Sequence, residues 1–284
     1  MNAPDTGSIL DYVEDKLSGA GIENSRMEAG WIIEEILGCS LTQIIAWTHP
    51  APTGSQMARI DEFISKRSAG QPIQHILGYT YFYGRKFLVK PGILVPRPET
   101  EILASRALEY LRSIEESAPR ILDLYTGSGN ILLTALIECP QATGVGVDID
   151  PAAISCAEEN SSRFDLQSST FMLTDIRKYL AGTTERFNLI TANPPYVSTA
   201  DIPGLMPEVK DHENHLSLDG GTDGMDQYRF LEANTHRNLK ENGALIFELD
   251  PSLSPDLRAL FSNWSTSQVY SDYSGSDRIM LVKP

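Results

Sequence analysis

Apolar residues along this chain fall into distinct periods. Up to about residue 77 they recur at helical spacing: Met27, Trp31, Ile32, Ile36 and Leu37 before Gly38, then Met57, Ile60, Phe63 and Ile64 before Gly70. Polar pairs mark the helix starts, and Ser25 with Glu28, Ser40 with Gln43 and Thr53 with Gln56 each fit a capping box. The period shortens from Tyr79 to Val95, where Tyr81, Tyr83, Phe87 and Val89 alternate around Gly84, and this predicts a β-hairpin. Pro91, Pro96 and Pro98 then stiffen the chain leading into the longer C-terminal part.

That part reads as strands alternating with helices. Arg120–Leu124 predicts a strand, Tyr125-Thr126-Gly127-Ser128-Gly129 a tight turn, and Ile131–Ile137 a helix ended by Cys139-Pro140. Gly127 and Gly129 let backbone approach a ligand, and the helix start behind them offers unpaired N–H groups. A second strand over Ala142–Val147 ends in Asp148, and Asp150 caps a helix opened by Pro151. An acid about 20 positions past a glycine turn is placed to accept both hydroxyls of a ribose. Phe230–Glu241 reads as a helix, Gly243–Leu249 as a strand, and Val269–Tyr273 with Arg278–Val282 as a closing antiparallel pair.

The most telling stretch is Asn193-Pro194-Pro195-Tyr196, directly after the apolar run Phe187–Ala192. The run predicts a short buried strand, and two prolines forbid further ladder pairing. Asn193 therefore sits at the strand's carboxyl end, where open α/β sheets place their ligands. Asn193 Oδ1 and the Pro194 carbonyl can each accept one hydrogen of a planar –NH2 group, while Tyr196 covers its face.

Composition narrows the function classes. The 284 residues suit one large or two modest domains, and 41% hydrophobic with 21% charged residues is ordinary for a globular protein. No apolar run approaches membrane-spanning length, and the N-terminus lacks a secretory signal pattern. Cys39, Cys139 and Cys156 have no pairing pattern, as expected of a cytoplasmic protein. A net charge of −15, with no basic stripe, argues against nucleic acid and for a basic protein partner. His212 and His215 flank Glu213, but a polar segment with nearby prolines reads as a solvated loop rather than a metal site.

Taken together, Gln71–Gly78, Pro91–Glu101, the glycine turn, Asn193–Tyr196 and Leu218–Gly224 resemble the HemK/PrmC family of class I S-adenosylmethionine-dependent methyltransferases, over nearly the whole chain. The resemblance implies a doubly wound, Rossmann-like α/β domain of seven strands over residues 96–284. A helical substrate-recognition domain over residues 1–77 and a hairpin linker over 78–95 precede it. It implies methyl transfer from S-adenosyl-L-methionine to the side-chain amide nitrogen of the glutamine in the Gly-Gly-Gln motif of peptide chain release factors, by a cytoplasmic monomer without a metal. Asp123, Tyr125, Thr126, Gly127, Ser128, Gly129, Asp148, Asp175, Ile176 and Asn193 are then expected at the cofactor. Asn193, Pro194 and Tyr196 are expected to be catalytic, with Pro195, Arg97 and Glu99 also at the substrate.

An amide nitrogen is a poor nucleophile that no side chain deprotonates at neutral pH, so the expected task is to orient it and favour the charge developing on it. Asn-Pro-Pro-Tyr is shared with enzymes that methylate adenine. Adenine N6 of nucleic acid and a ribosomal protein glutamine are alternative substrates, and a release-factor- or cofactor-binding protein without activity, which Tyr125 keeps open, is the alternative from another class. Four positions depart from the family pattern: Tyr125 replaces the first glycine of the turn, Ile176 an aromatic residue, Asn214 a proline and Asp250 a glycine.

Overall fold

In the computed structural model, residues 6–46 and 51–284 are described; residues 1–5 and 47–50, within the expected helical domain, lie outside them. The chain forms two compact units, one of residues 1–78 with 207–212, the other of 79–206 with 213–284.

The first unit is helical. It contains α1 (Thr6–Gly19), α2 (Ser25–Leu37), α3 (Leu41–Ile45), α4 (Gly54–Ser68) and α5 (Ile73–Leu77). Ile9, Val13 and Leu17 of α1 meet Ile32, Ile33 and Ile36 of α2 and Ile60 and Ile64 of α4 in one core. The capping boxes of α3 and α4 form as read: Ser40 and Thr53 accept from the backbone of Gln43 and Gln56, whose side chains accept in return. The box expected at Ser25 does not form. Asn24 occupies the N-cap of α2 without a side-chain bond, and Glu28 is turned inward instead. Its Oε2 accepts from Arg67 Nε at 2.6 Å and its Oε1 from Arg67 Nη2 at 3.2 Å, with both side chains buried. A buried guanidinium needs a charged acceptor more than a solvated helix start needs a cap. Arg67 Nη2 also donates to Glu208 Oε1 at 2.6 Å, on α10 (Pro207–Lys210) of the same unit.

The second unit opens with β1 (Tyr79–Phe82) and β2 (Arg85–Leu88), an antiparallel hairpin whose two turn residues, Tyr83 and Gly84, both have positive φ. Phe82 and Phe87 are buried against Ala104 and Leu133, so the hairpin packs into this unit. The remaining elements are α6 (Thr100–Ser113), β3 (Arg120–Leu124), α7 (Asn130–Glu138), β4 (Thr143–Asp148), α8 (Pro151–Arg163), β5 (Ser169–Leu173), α9 (Ile176–Gly182), β6 (Phe187–Ala192), α11 (Asp226–Thr235), β7 (Leu239–Glu248), α12 (Ser254–Leu260), β8 (Thr266–Ser271) and β9 (Asp277–Lys283).

The strands form one seven-stranded sheet in the order β5-β4-β3-β6-β7-β9-β8, parallel as far as β7, with β9 and β8 antiparallel. Alternating strand residues feed two cores. Leu122, Ile190, Leu245 and Phe247 pack with Leu180, Tyr228 and Leu257 on one face. Ile121, Leu189, Ala244 and Ile246 pack with Leu103, Ala107, Leu132 and Ala135 on the other. Every residue of β6 is buried, as a strand with neighbours on both edges and helices on both faces must be. Strand order reverses between β3 and β6, which opens a crevice at their carboxyl ends.

Two departures from the sequence reading have clear causes. The helix expected to reach Glu241 stops at Thr235, and β7 begins at Leu239, which pairs with Phe187 before a bulge brings Ala244 opposite Leu189. Lys240–Asn242 look helical locally, but the ladder with β6 claims their neighbours. β5 escaped the pattern because it is an edge strand with mixed exposure, and its Met172 and Leu173 face solvent.

Replacing Arg67 with Met should leave the Glu28 carboxylate buried without its counter-ion and cost about 3 kcal/mol, the scale of breaking a buried pair from one side. Equilibrium denaturation of the full chain checks this, and a loss under about 1 kcal/mol would show the pair to be dispensable.

Candidate active site

Three strand ends converge at the crevice. After β3, the turn Tyr125–Gly129 is held by Asp123, which is completely buried. The carboxylate accepts from Thr126 Oγ1 at 2.6 Å and from Thr191 Oγ1 of β6 at 2.7 Å. Burial pushes the Asp123 carboxyl up to about 6 against the lowering effect of the two hydroxyls, and the nearby Asp148 charge adds to the rise. Gly129 has φ of 78°, and a Cβ there would lie 3.1 Å from Ala157 Cβ and Leu133 Cδ1. Only glycine lets α7 start so close to α8.

Tyr125 also has positive φ, 59°, which accounts for the glycine usual at such a turn. Its ring packs against the core beside α11, and its hydroxyl donates to Gln227 Oε1 at 3.0 Å. Burial pushes its pKa upward, so the phenol stays protonated.

At the end of β4, Asp148 faces this turn. Its Oδ2 accepts from Gly127 N at 2.9 Å and its Oδ1 from Asp150 N at 3.0 Å. Burial raises its pKa, which those two backbone bonds oppose. Each oxygen keeps lone-pair capacity for a further donor. Asp150 caps α8 as expected, through Ala152 N, and its other oxygen accepts from Asn214 Nδ2 at 2.9 Å.

At the end of β6, Asn193 Nδ2 donates to Thr100 Oγ1 at 3.4 Å, and Thr100 Oγ1 donates to Glu248 Oε2 at 2.7 Å. Glu248 ends β7 and is buried. The prolines after Asn193 are buried, and the backbone beyond them is latched by residues 218–224. Val197 N donates to the Leu218 carbonyl and Gly220 N to the Val197 carbonyl. A Cβ on Gly220 would sit 2.7 Å from Tyr196 Cα and one on Gly224 2.4 Å from the Tyr196 carbonyl, so close approach demands glycine at both. Burial pushes the Tyr196 pKa upward, with Glu248 and Asp250 nearby.

A cleft of about 230 Å³ joins these ends. Of the residues expected there, Tyr125, Thr126, Gly127, Ser128, Asp148, Asp175, Ile176, Asn193 and Pro195 line it. Asp175 also caps α9 through Arg177 N at 2.7 Å. Asp123, Gly129, Pro194, Tyr196, Arg97 and Glu99 do not line it: Asp123 and Gly129 brace the turn from behind, and Arg97 Nη2 donates to Glu213 Oε1 at 2.7 Å. Glu213 is buried rather than solvated, and also accepts from Val95 N. Thr100, Asn130, Asn214, Gln227 and Glu248 were not picked out by sequence reasoning as site residues. A continuous apolar strand ending in an acid was the one available signal for Glu248. Among the described residues no cluster of His, Cys, Asp and Glu could hold a metal ion.

Residues 8–78 match the PrmC N-terminal domain, and residues 115–278 match a methyltransferase domain. The release factor glutamine methyltransferase of Agrobacterium fabrum is 35% identical over 272 residues, covering 94% of this chain and 93% of the relative. That of Bradyrhizobium diazoefficiens is 38% identical over 268 residues, covering 92% and 89%. In fold alone, the chain is similar to a T. Thermophilus 16S rRNA N2 G1207 methyltransferase solved with AdoMet and guanosine, with a TM-score of 0.50, 17% identity, and coverage of 72% of this chain and 49% of that one.

The raised pKa of Asp123 carries a pH signature. A carboxyl whose folded pKa exceeds its unfolded one favours folding when protonated, so its contribution is lost as pH rises towards about 6. Between about pH 4 and pH 7, Asp123→Asn should therefore lose about 2–3 kcal/mol less stability than the unmodified chain. Denaturation series across that range test it, and parallel pH curves would rule the effect out.

Proposed function

Because the chain belongs to the release factor glutamine methyltransferases, we propose that it methylates the side-chain amide nitrogen (N5) of the glutamine in the Gly-Gly-Gln motif of peptide chain release factors, using S-adenosyl-L-methionine. The observation that carries this reading is Asn193 at the end of β6, held through Thr100 in the same cleft as Asp148 and the glycine turn.

The cleft's chemistry suits the methyl donor. The Asp148 carboxylate keeps acceptor capacity for the two ribose hydroxyls. Asn130 Nδ2, buried at the start of α7, finds no partner in the protein and can donate to the carboxylate of the methionine half. Ile176 and Ile149 offer apolar surface to a base. Bound there, the sulfonium supplies a methyl group that is already strongly electrophilic.

The chain's own residues then have a positioning task. Asn193 Oδ1 accepts one hydrogen of the substrate amide and the Pro194 carbonyl the other, which aims the nitrogen and favours the positive charge growing on it. Tyr196, kept neutral by burial, covers the amide plane. Loss of a proton from the methylated nitrogen to water completes the turnover. Arg97 and Glu99 serve the substrate side, and the helical unit recognises the release factor. The net charge of −15 favours a basic protein surface over nucleic acid. No helix among the described residues is long and apolar enough to cross a membrane, and we propose a cytoplasmic monomer.

The direct experiment incubates the chain and labelled donor with purified release factors, ribosomal proteins and DNA in separate reactions. Label should enter release factors alone and disappear when the Gly-Gly-Gln glutamine is changed. Asn193→Ala should bind donor almost normally yet lose roughly two to three decades of single-turnover rate; retention of most of the rate would refute the assignment. Asp148→Ala should weaken donor binding by about 1.5–3 kcal/mol, read by calorimetric titration. With the Tyr125 ring held by Gln227 and the core, Tyr125→Gly should change donor affinity by less than about tenfold. Methylation appearing only in that variant would identify the chain as a binder without activity.

A further inference from the structure

Asn193 has two faces, and its function under the reading above requires the correct one. An amide turned with Oδ1 towards the cleft accepts hydrogens from a substrate –NH2; turned the other way, it opposes donors with donors. What selects between them lies behind the site. Thr100 has a single hydroxyl hydrogen, donated to Glu248 Oε2 at 2.7 Å. Thr100 Oγ1 can then only accept, so the atom of Asn193 facing it at 3.4 Å must be Nδ2.

We propose that Glu248 is a positioning residue whose ionised carboxylate, acting through Thr100, holds Asn193 with Oδ1 towards the substrate amide. The inference rests on the methyltransferase reading of the site. Protonation removes the selection. A neutral Glu248 can donate to Thr100 Oγ1, which frees the threonine hydrogen for Asn193 Oδ1 and lets the amide present Nδ2 to the cleft.

The surroundings place this proton near neutrality. Burial raises the Glu248 carboxyl to about 7, opposed by the Thr100 bond, raised further by Glu99, and lowered by Arg278 and Arg97. Tyr196 and Tyr228 also face it, both kept protonated by burial, and the Asp250 charge lies near these two tyrosines. Tyr228 Oη donates to the Glu248 backbone carbonyl at 3.0 Å, leaving the carboxylate to Thr100. Ionisation proceeds as pH rises, so the productive orientation gains above the Glu248 pKa and is lost on acidification.

Two readouts test this in the full chain. In the donor-free protein, the Asn193 side-chain amide resonances should shift with a midpoint near 7 and cease to do so in Glu248→Gln. In single turnover at saturating donor, the rate should fall as pH drops through the same midpoint. Glu248→Gln should flatten that limb and lower the high-pH rate by about tenfold or more, as loss of preorganisation does. Thr100→Val should behave likewise, and Thr100→Ser should restore both rate and pH profile. An unchanged acid limb in Glu248→Gln, or an Asn193 resonance indifferent to pH, overturns the proposal. An unmodified chain whose Asn193 titrates as stated but which methylates no release factor instead overturns the reading of the site.

Discussion

One buried carboxylate ties the site together. Asp123 sits in β3, completely enclosed, and takes one hydroxyl from the turn that follows it and one from β6, two residues before Asn193. Hydrogen bonds to a charged acceptor in a low-dielectric interior are strong, and leaving either hydroxyl or the carboxylate unpaired there is costly. The glycine turn and the Asn193 strand end therefore cannot shift independently. Their register, on which any distance between a donor bound at the turn and an acceptor at Asn193 depends, is set by a group that does not line the cleft.

Around this centre the second unit adds two further braces. The 218–224 segment latches the backbone of Tyr196 and Val197 through two reciprocal hydrogen bonds and two close glycine approaches. Glu213 gathers Val95 N and Arg97, fixing the path into α6 and hence Thr100. Both act on loops, which are otherwise the least ordered places to build a site. Acids recur in the interior here, with Asp123, Asp148, Glu213 and Glu248 all at least largely buried.

Much of this was legible in local patterns. The largely apolar Phe187–Ala192 run, the two prolines after Asn193 and the Pro151 helix start announce strand, stop and helix through local stereochemistry alone, and each stands where it was expected. The capping boxes at Ser40 and Thr53 belong with them, because both partners lie within one turn. Local signals failed where a distant partner outbid the near one: Glu28 leaves Ser25 for Arg67, 39 positions away, and Lys240 joins a strand because Leu239 meets Phe187.

By itself the sequence determined the alternation of strands and helices, the place of Asn193 at a strand end, and the acid closing β4. All of these rest on residues that are neighbours along the backbone or recur at a fixed period. Only the tertiary structure decided that Tyr125 turns its ring to Gln227, 102 positions on, that Arg97 reaches Glu213, and that Glu248 stands behind Asn193 through Thr100. Those partners come from different strands and helices, and no periodicity encodes which of them will share a hydrogen. Burial then decides the protonation of Asp123 and Glu248, since desolvation depends on everything packed around a carboxyl and not on its neighbours in the chain.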